Sequence, residues 1–244
     1  MESTDTTRRV QRLRHDLKRR TLTVTRVEQP GPHLRRIVFT SADLGDFVSM
    51  SFDDHIKAFF PLPDGQTAGR DYTPRSFDTT RRELTIEFAL HGEGPAATWA
   101  SQATVGQTLD IGGPKGSFIV PVDYDWHLLI GDETALPAIA RRLEELPSDA
   151  KVIVIAHVAD SADRPAFQRP GLDLRWTSSP QATLDAVDHL TLPEGEGYAW
   201  CAGESAEMAE VRKRLVDGKL HDRHAIRAAA YWKRGANGHH ENFD

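Results

Sequence analysis

The feature that most constrains this chain is a change of hydrophobic period near Pro121. In residues 83–91, Leu84, Ile86, Phe88 and Leu90 alternate with Glu83, Thr85 and Glu87. A period of two belongs to a strand with one dry and one wet face. Residues 152–156, by contrast, read Val-Ile-Val-Ile-Ala without a polar break. That pattern suits a strand covered on both faces, as in a parallel sheet. One chain therefore has to build two different kinds of sheet.

Ahead of the change, further short strands are expected at residues 21–28, 34–40, 55–62 and 72–77. They are punctuated by Pro30-Gly31-Pro32, Pro63-Asp64-Gly65 and Gly112-Gly113-Pro114. Short strands with turn signals and almost no helix predict a small antiparallel β-barrel. After the change, apolar runs at 126–130, 172–177, 198–202 and 225–231 alternate with helical stretches at 136–146, 182–190 and 206–215. Such alternation predicts an open α/β sheet that binds its ligand at the carboxyl ends of its strands. The expected division is a basic lead-in over 1–20, a barrel over 21–122 and an α/β domain over 123–244.

Composition removes several alternatives. A net charge of −6 argues against nucleic acid as the main partner. No apolar run reaches the roughly 18–20 residues of a membrane helix, and the polar start is not a secretory signal. The single cysteine, Cys201, rules out an internal disulfide and a cluster held by four thiolates, and it fits the cytoplasm. Arg8, Arg9, Arg12, Arg14, Lys18, Arg19 and Arg20 crowd the start and are read as a solvated lead-in. His239 and His240, with Glu241 and Asp244, resemble a metal pair. Adjacent side chains on a tail lack ordered partners, so no metal site is expected.

The motifs each have a plain reading and a functional one. His91-Gly92-Glu93-Gly94-Pro95-Ala96-Ala97-Thr98-Trp99-Ala100 follows an alternating strand, so it is not the fingerprint of a buried βαβ unit. It is either an ordinary turn capping a helix or a close-approach site for phosphate. Arg70-Asp71-Tyr72-Thr73-Pro74-Arg75 is either an edge strand with solvated charges or a wall for a planar anionic cofactor. Asp132 and Glu133 open a helix after Gly131, where the macrodipole favours acids. Thr134 and Ala135 then sit at a strand's carboxyl end. Ala202-Gly203-Glu204-Ser205 repeats this strand-to-helix arrangement.

Taken in order, these segments, with Asp53-Asp54-His55-Ile56-Lys57-Ala58-Phe59-Phe60-Pro61 and Tyr231-Trp232-Lys233-Arg234-Gly235, closely resemble the siderophore-interacting protein family. Its members are FAD-dependent ferric-siderophore reductases of the ferredoxin-reductase superfamily. The resemblance runs from about residue 21 to the carboxyl terminus. It implies FAD held by Arg70, Tyr72, Thr73 and Arg75, by His91, Gly94, Pro95, Ala96 and Trp99, and by Asp132, Thr134, Ala135 and Trp232. It implies NADH or NADPH as donor, contacted by Gly203, Glu204 and Arg212. Lys57, Lys233 and Arg234 are implied to face the substrate. Lys233 departs from the family, where arginine commonly follows the aromatic pair, so the charge is kept and the planar fork is lost. The resemblance assigns no catalytic acid, base or nucleophile. A ferredoxin-type reductase with a protein electron partner, ferredoxin among them, and a non-catalytic siderophore-binding protein are the rival readings.

Overall fold

The computed structural model describes residues 9–90, 94–236 and 241–243. The amino-terminal half contributes β1 (Gln11–Arg14), β2 (Arg19–Gly31), β3 (Leu34–Thr40), β4 (Ile56–Pro61) and β5 (Thr67–Tyr72). It continues with β6 (Ser76–Asp78), β7 (Glu83–Ala89), helix α1 (Pro95–Ser101), β8 (Thr108–Gly112) and β9 (Gly116–Ile119). Seven of these strands form one antiparallel sheet in the order β5-β4-β8-β2-β3-β7-β6. The sheet curls because its inner positions bury one continuous core. On β7, Leu84, Ile86 and Phe88 are wholly buried, and they meet Ile37, Phe39 and Phe60. Each such side chain contributes roughly 1.5–3 kcal/mol by leaving water. Ala96 and Ala100 of α1 plug the same core.

The second half runs β10 (Trp126–Gly131), α2 (Leu136–Glu145), β11 (Lys151–His157), β12 (Leu172–Thr177) and α3 (Pro180–Asp188). It ends with β13 (Gly197–Glu204), α4 (Ser205–Lys213), β14 (Ile226–Trp232) and β15 (Glu241–Phe243). The sheet order is β12-β11-β10-β13-β14-β15, parallel except for the last strand. Its unbroken apolar runs now have a cause. Leu129, Val154 and Trp200 pack toward α2, while Leu128, Ile155 and Cys201 pack toward α3 and α4. Both faces are covered, so neither can be polar.

Two expectations are corrected. The segment 72–77 is not one strand. Pro74 offers no N–H to a ladder, so β5 ends at Tyr72 and β6 starts at Ser76 on the opposite free edge of the sheet. The basic lead-in is not simply solvated either. Gln11–Arg14 pairs with β9, Arg20 is buried against Asp46, and Arg12 lies over the Phe118 ring. His239, His240 and Asp244 lie outside the described residues.

The halves are bolted together by buried polar groups. Asp53 before β4 binds Arg227 of β14 at 2.7 Å and accepts from the Trp200 indole at 3.3 Å. Arg141 of α2 donates to Ser49 Oγ at 2.7 Å and to the Pro74 carbonyl at 3.2 Å. A carboxylate and a guanidinium buried this well hold geometry because breaking either partner away strands a charge.

Candidate functional site

A cavity of about 1260 Å³ opens between the curled sheet and the α/β domain. That exceeds the roughly 300–1,000 Å³ of an ordinary small-ligand pocket, which suits a ligand the size of a dinucleotide. Arg70, Tyr72, Thr73 and Arg75 all line it. They do so because residues 73–75 cross the gap between the two free edges of the barrel sheet. Tyr72 leans on the core, its ring 4.6 Å from that of Phe88, and burial pushes its phenol pKa up. Arg70 spends one N–H on the Gly69 carbonyl, at 2.8 Å, and has no carboxylate partner among the described residues. Thr73 shares a hydrogen bond with Tyr231. Arg75 forks onto Glu144 of α2 at 2.8 and 2.5 Å.

Gly94, Pro95 and Ala96, at the start of α1, line the same cavity. A side chain at Gly94 would meet nothing within 4 Å, so backbone is bare to the cavity there. His91 lies outside the described residues. Trp99 does not line the cavity. Its indole, partly buried, stacks on Phe39 at 6.3 Å and edges Phe60 at 5.8 Å, packed against the barrel core. Its position on α1 puts it one turn past Pro95, on the face that α1 must bury.

On the opposite wall Thr134 and Trp232 line the cavity, but Asp132, Ala135, Gly203, Glu204 and Arg212 do not. Asp132 is 2% exposed, and its carboxylate is fully occupied. Oδ1 accepts from the Thr134 N–H at 2.9 Å and from its hydroxyl at 2.5 Å. Oδ2 accepts from the Trp232 indole at 2.7 Å and from the Glu204 N–H at 3.0 Å. One side chain thus ties the ends of β10, β13 and β14. Burial raises its pKa, opposed first by the Thr134 hydrogen bond. Gly203 is required by the same hub, since a Cβ there would lie 2.7 Å from Asp132 Oδ2. Glu204 caps α4 through the N–H groups of Ala206 and Glu207 and accepts from the Arg234 N–H. Ala135 is buried behind the turn. Arg212 sits on α4, its Nε buried without a hydrogen bond.

Lys57 reaches the cavity across Gly69, where any side chain would crowd its stem at 3.1 Å. Strand register places it directly opposite Asp71, and the two pair at 2.7 Å. Lys233 and Arg234 are exposed just beyond Trp232 and do not line the cavity. Residues that no motif marked complete the site. Arg141 holds the Pro74 carbonyl, while Arg164 and Phe167 line the cavity from the loop after β11. The signal for Arg164 and Phe167 is position alone, after the carboxyl end of a buried parallel strand. His33, Asp160 and Asp163 also converge, with ligand-type atoms within 4.8 Å of one another. There the Asp163 carboxylate is taken up by the His33 backbone N–H at 2.9 Å and its ring at 2.8 Å.

Residues 124–235 match the siderophore-interacting protein family, and residues 23–69 and 63–118 match the siderophore-interacting FAD-binding domain. The NADPH-dependent ferric-chelate reductase of Escherichia coli is 36% identical over 251 residues, covering 93% of this chain and 98% of that protein. This chain belongs to the siderophore-interacting protein family. Within that family, ferric vibriobactin reductase of Vibrio cholerae is 33% identical, with 89% of this chain and 90% of that one covered. The crystal structure of a siderophore utilization protein from T. fusca superposes with a TM-score of 0.87 at 32% identity, covering 96% and 98% of the two chains. The curled antiparallel sheet followed by an α/β domain is therefore the family's fold, as the change of hydrophobic period predicted.

Proposed function

We propose that the cavity holds FAD and that the chain passes electrons from NAD(P)H to the Fe(III) of a ferric siderophore in the cytoplasm. One observation carries the assignment of the site: Arg70, Tyr72, Thr73 and the bare backbone at Gly94 converge on a single cavity. Those groups fit the cofactor. Arg70, without a carboxylate partner among the described residues, would pair with its phosphate. Tyr72 offers an aromatic wall to the ring system, and Thr73 and the backbone beside it meet the ring edge. Gly94, Pro95 and Ala96 leave space for the pyrophosphate. Thr134 and Trp232 bound the flavin from the α/β side, the indole held in place by Asp132. FAD held by these residues would supply the link between a two-electron hydride donor and a one-electron acceptor.

The remaining work of the chain is positional. Arg141 and the Arg75–Glu144 pair fix the 73–75 crossing against α2, so the nucleotide domain and the flavin wall keep one distance. Lys57, Lys233 and Arg234 supply cations for an anionic chelate at the cavity mouth. The iron needs no protein ligand, because hard oxygen donors of the siderophore already enclose it and release Fe(II) more readily than Fe(III). We assign the donor role to NAD(P)H rather than to ferredoxin. The test is anaerobic. The purified protein should carry flavin that bleaches with NADPH and recovers its colour on addition of a ferric catecholate. Absence of flavin, or a bleached flavin that no ferric chelate reoxidises, sinks the reading.

A further inference from the structure

Four arginines line the cavity among the described residues: Arg36, Arg70, Arg75 and Arg164. Arg36 pairs with Glu87 at 2.6 Å, and Arg75 pairs with Glu144. Arg70 belongs to the flavin wall described above. Arg164 remains. It has no carboxylate partner among the described residues, and its Nε is buried without a hydrogen bond. Its guanidinium lies 5.7 Å from the centroid of the Trp176 ring. Trp176 in turn stacks on Phe167 at 5.8 Å and 22°. Phe167 lines the cavity beside Arg164.

The loop that carries this group is fixed in place. Asp163, next to Arg164, receives two hydrogen bonds from His33 on the β2–β3 hairpin of the barrel. At Gly31 a Cβ would come within 2.2 Å of Asp163 Oδ1, so only glycine lets the hairpin approach. Arg164 is thus a half-buried cation that is held but not neutralised. A buried guanidinium nitrogen without an acceptor costs free energy, and a phosphate oxygen removes that cost through a charge-assisted bond. An aromatic ring at the same spot supplies a stacking face for a base. Both groups stand at the carboxyl ends of β11 and β12, the edge where an open α/β sheet receives nucleotides.

We propose that Arg164 and Phe167 anchor the phosphate-bearing adenine end of a nucleotide, Arg164 taking a phosphate and Phe167 the base. The inference rests on the proposed function, because that function supplies two such ends, in FAD and in NADPH. Arg164→Gln separates them. Flavin per chain is measured in the purified protein, and KM is measured for NADPH and for NADH with one ferric chelate. If the phosphate is the 2′-phosphate of NADPH, KM for NADPH rises roughly tenfold or more while NADH changes little. If it is a phosphate of FAD, flavin per chain falls and the NADPH-to-NADH ratio stays put. Phe167→Ala should weaken the same ligand as Arg164→Gln, and it serves alone if the arginine variant fails to fold. Native-like flavin content and KM values in these variants overturn the proposal. For Arg164→Gln, so does an equal rise for NADPH and NADH at full flavin content. Phe167→Ala, which removes a contact to the base that both nucleotides share, should raise both if the nucleotide is NADPH. A native protein that lacks flavin, or cannot reduce chelates, would instead sink the proposed function.

Discussion

On the barrel wall of the cavity, Arg70, Tyr72 and Thr73 present side chains to the space where ligand fits. On the α/β wall, Asp132 spends its carboxylate on the Thr134 and Glu204 N–H groups, the Thr134 hydroxyl and the Trp232 indole, and Glu204 caps the start of α4. The difference follows from the two sheets. The barrel motif bridges two free edges. Its sheet takes up some of its polar groups, as in the Arg70 bond to the Gly69 carbonyl and the Asp71 pair with Lys57, and still leaves Arg70, Tyr72 and Thr73 lining the cavity. The α/β motifs lie where three parallel strands stop together, and that convergence leaves orphan donors that have to be satisfied within the protein. A wall made of strand ends therefore commits Asp132 and Glu204 to scaffold, while Thr134 and Trp232 beside them face the cavity.

Substitution separates the two walls, and the largest effect belongs to the scaffold. Asp132→Ala strands the Trp232 indole, the Thr134 N–H and the Glu204 N–H at once. At about 1–3 kcal/mol for each buried group left unsatisfied, the loss of stability should be about 3 kcal/mol or more. Thermal unfolding reads it. Arg70→Ala should do the reverse. It should weaken FAD affinity by about 1.5–3 kcal/mol, the value of a hydrogen bond to a charged group. Stability of the flavin-free chain should stay within roughly 0.5 kcal/mol of native. Flavin content at matched denaturant midpoints is the measurement. If Asp132→Ala leaves stability intact and empties the flavin site, the contrast between the walls is broken.

The same contrast explains what the sequence reveals. Alternation in 83–91 and the unbroken run in 152–156 are local consequences of one wet face or none, so both sheets are readable without coordinates. Arg70, Tyr72 and Thr73 are also readable, since a short motif on one crossing keeps its neighbours together. Trp99 falls away from the cavity because a helix start that faces a cavity still packs its next turn against the core. Asp132 reads either way in the sequence, because a cap and a ligand contact ask for the same residue at the same place. Arg164 and Arg141 belong to no motif. Their meaning depends on His33, Ser49 and Pro74, which lie 67 to 131 positions away and meet them only through the docking of two domains.

The smallest effect is expected at the mouth, where the barrel wall meets solvent. Lys57 is 41% exposed and already paired with Asp71, so much of its field is cancelled. Exposed pairs of this kind are worth about 0.2–1 kcal/mol, which limits Lys57→Ala to roughly a two- to fivefold slowing toward an anionic ferric chelate. The pair itself makes the sharper test. Asp71→Asn leaves the lysine uncompensated and should speed the anionic chelate, whereas Lys57→Ala leaves a bare carboxylate that repels it. A neutral ferric chelate should respond little to either change. Added salt should slow the Asp71→Asn protein most and should slow Lys57→Ala least, because screening acts on whatever attraction remains. The quantity to follow is the ratio of rates for anionic and neutral chelates across the three proteins. Opposite movement in the two variants places substrate steering on the barrel wall. A ratio that stays fixed in both reduces Lys57 and Asp71 to a surface ion pair and leaves steering to Lys233 and Arg234 beyond Trp232.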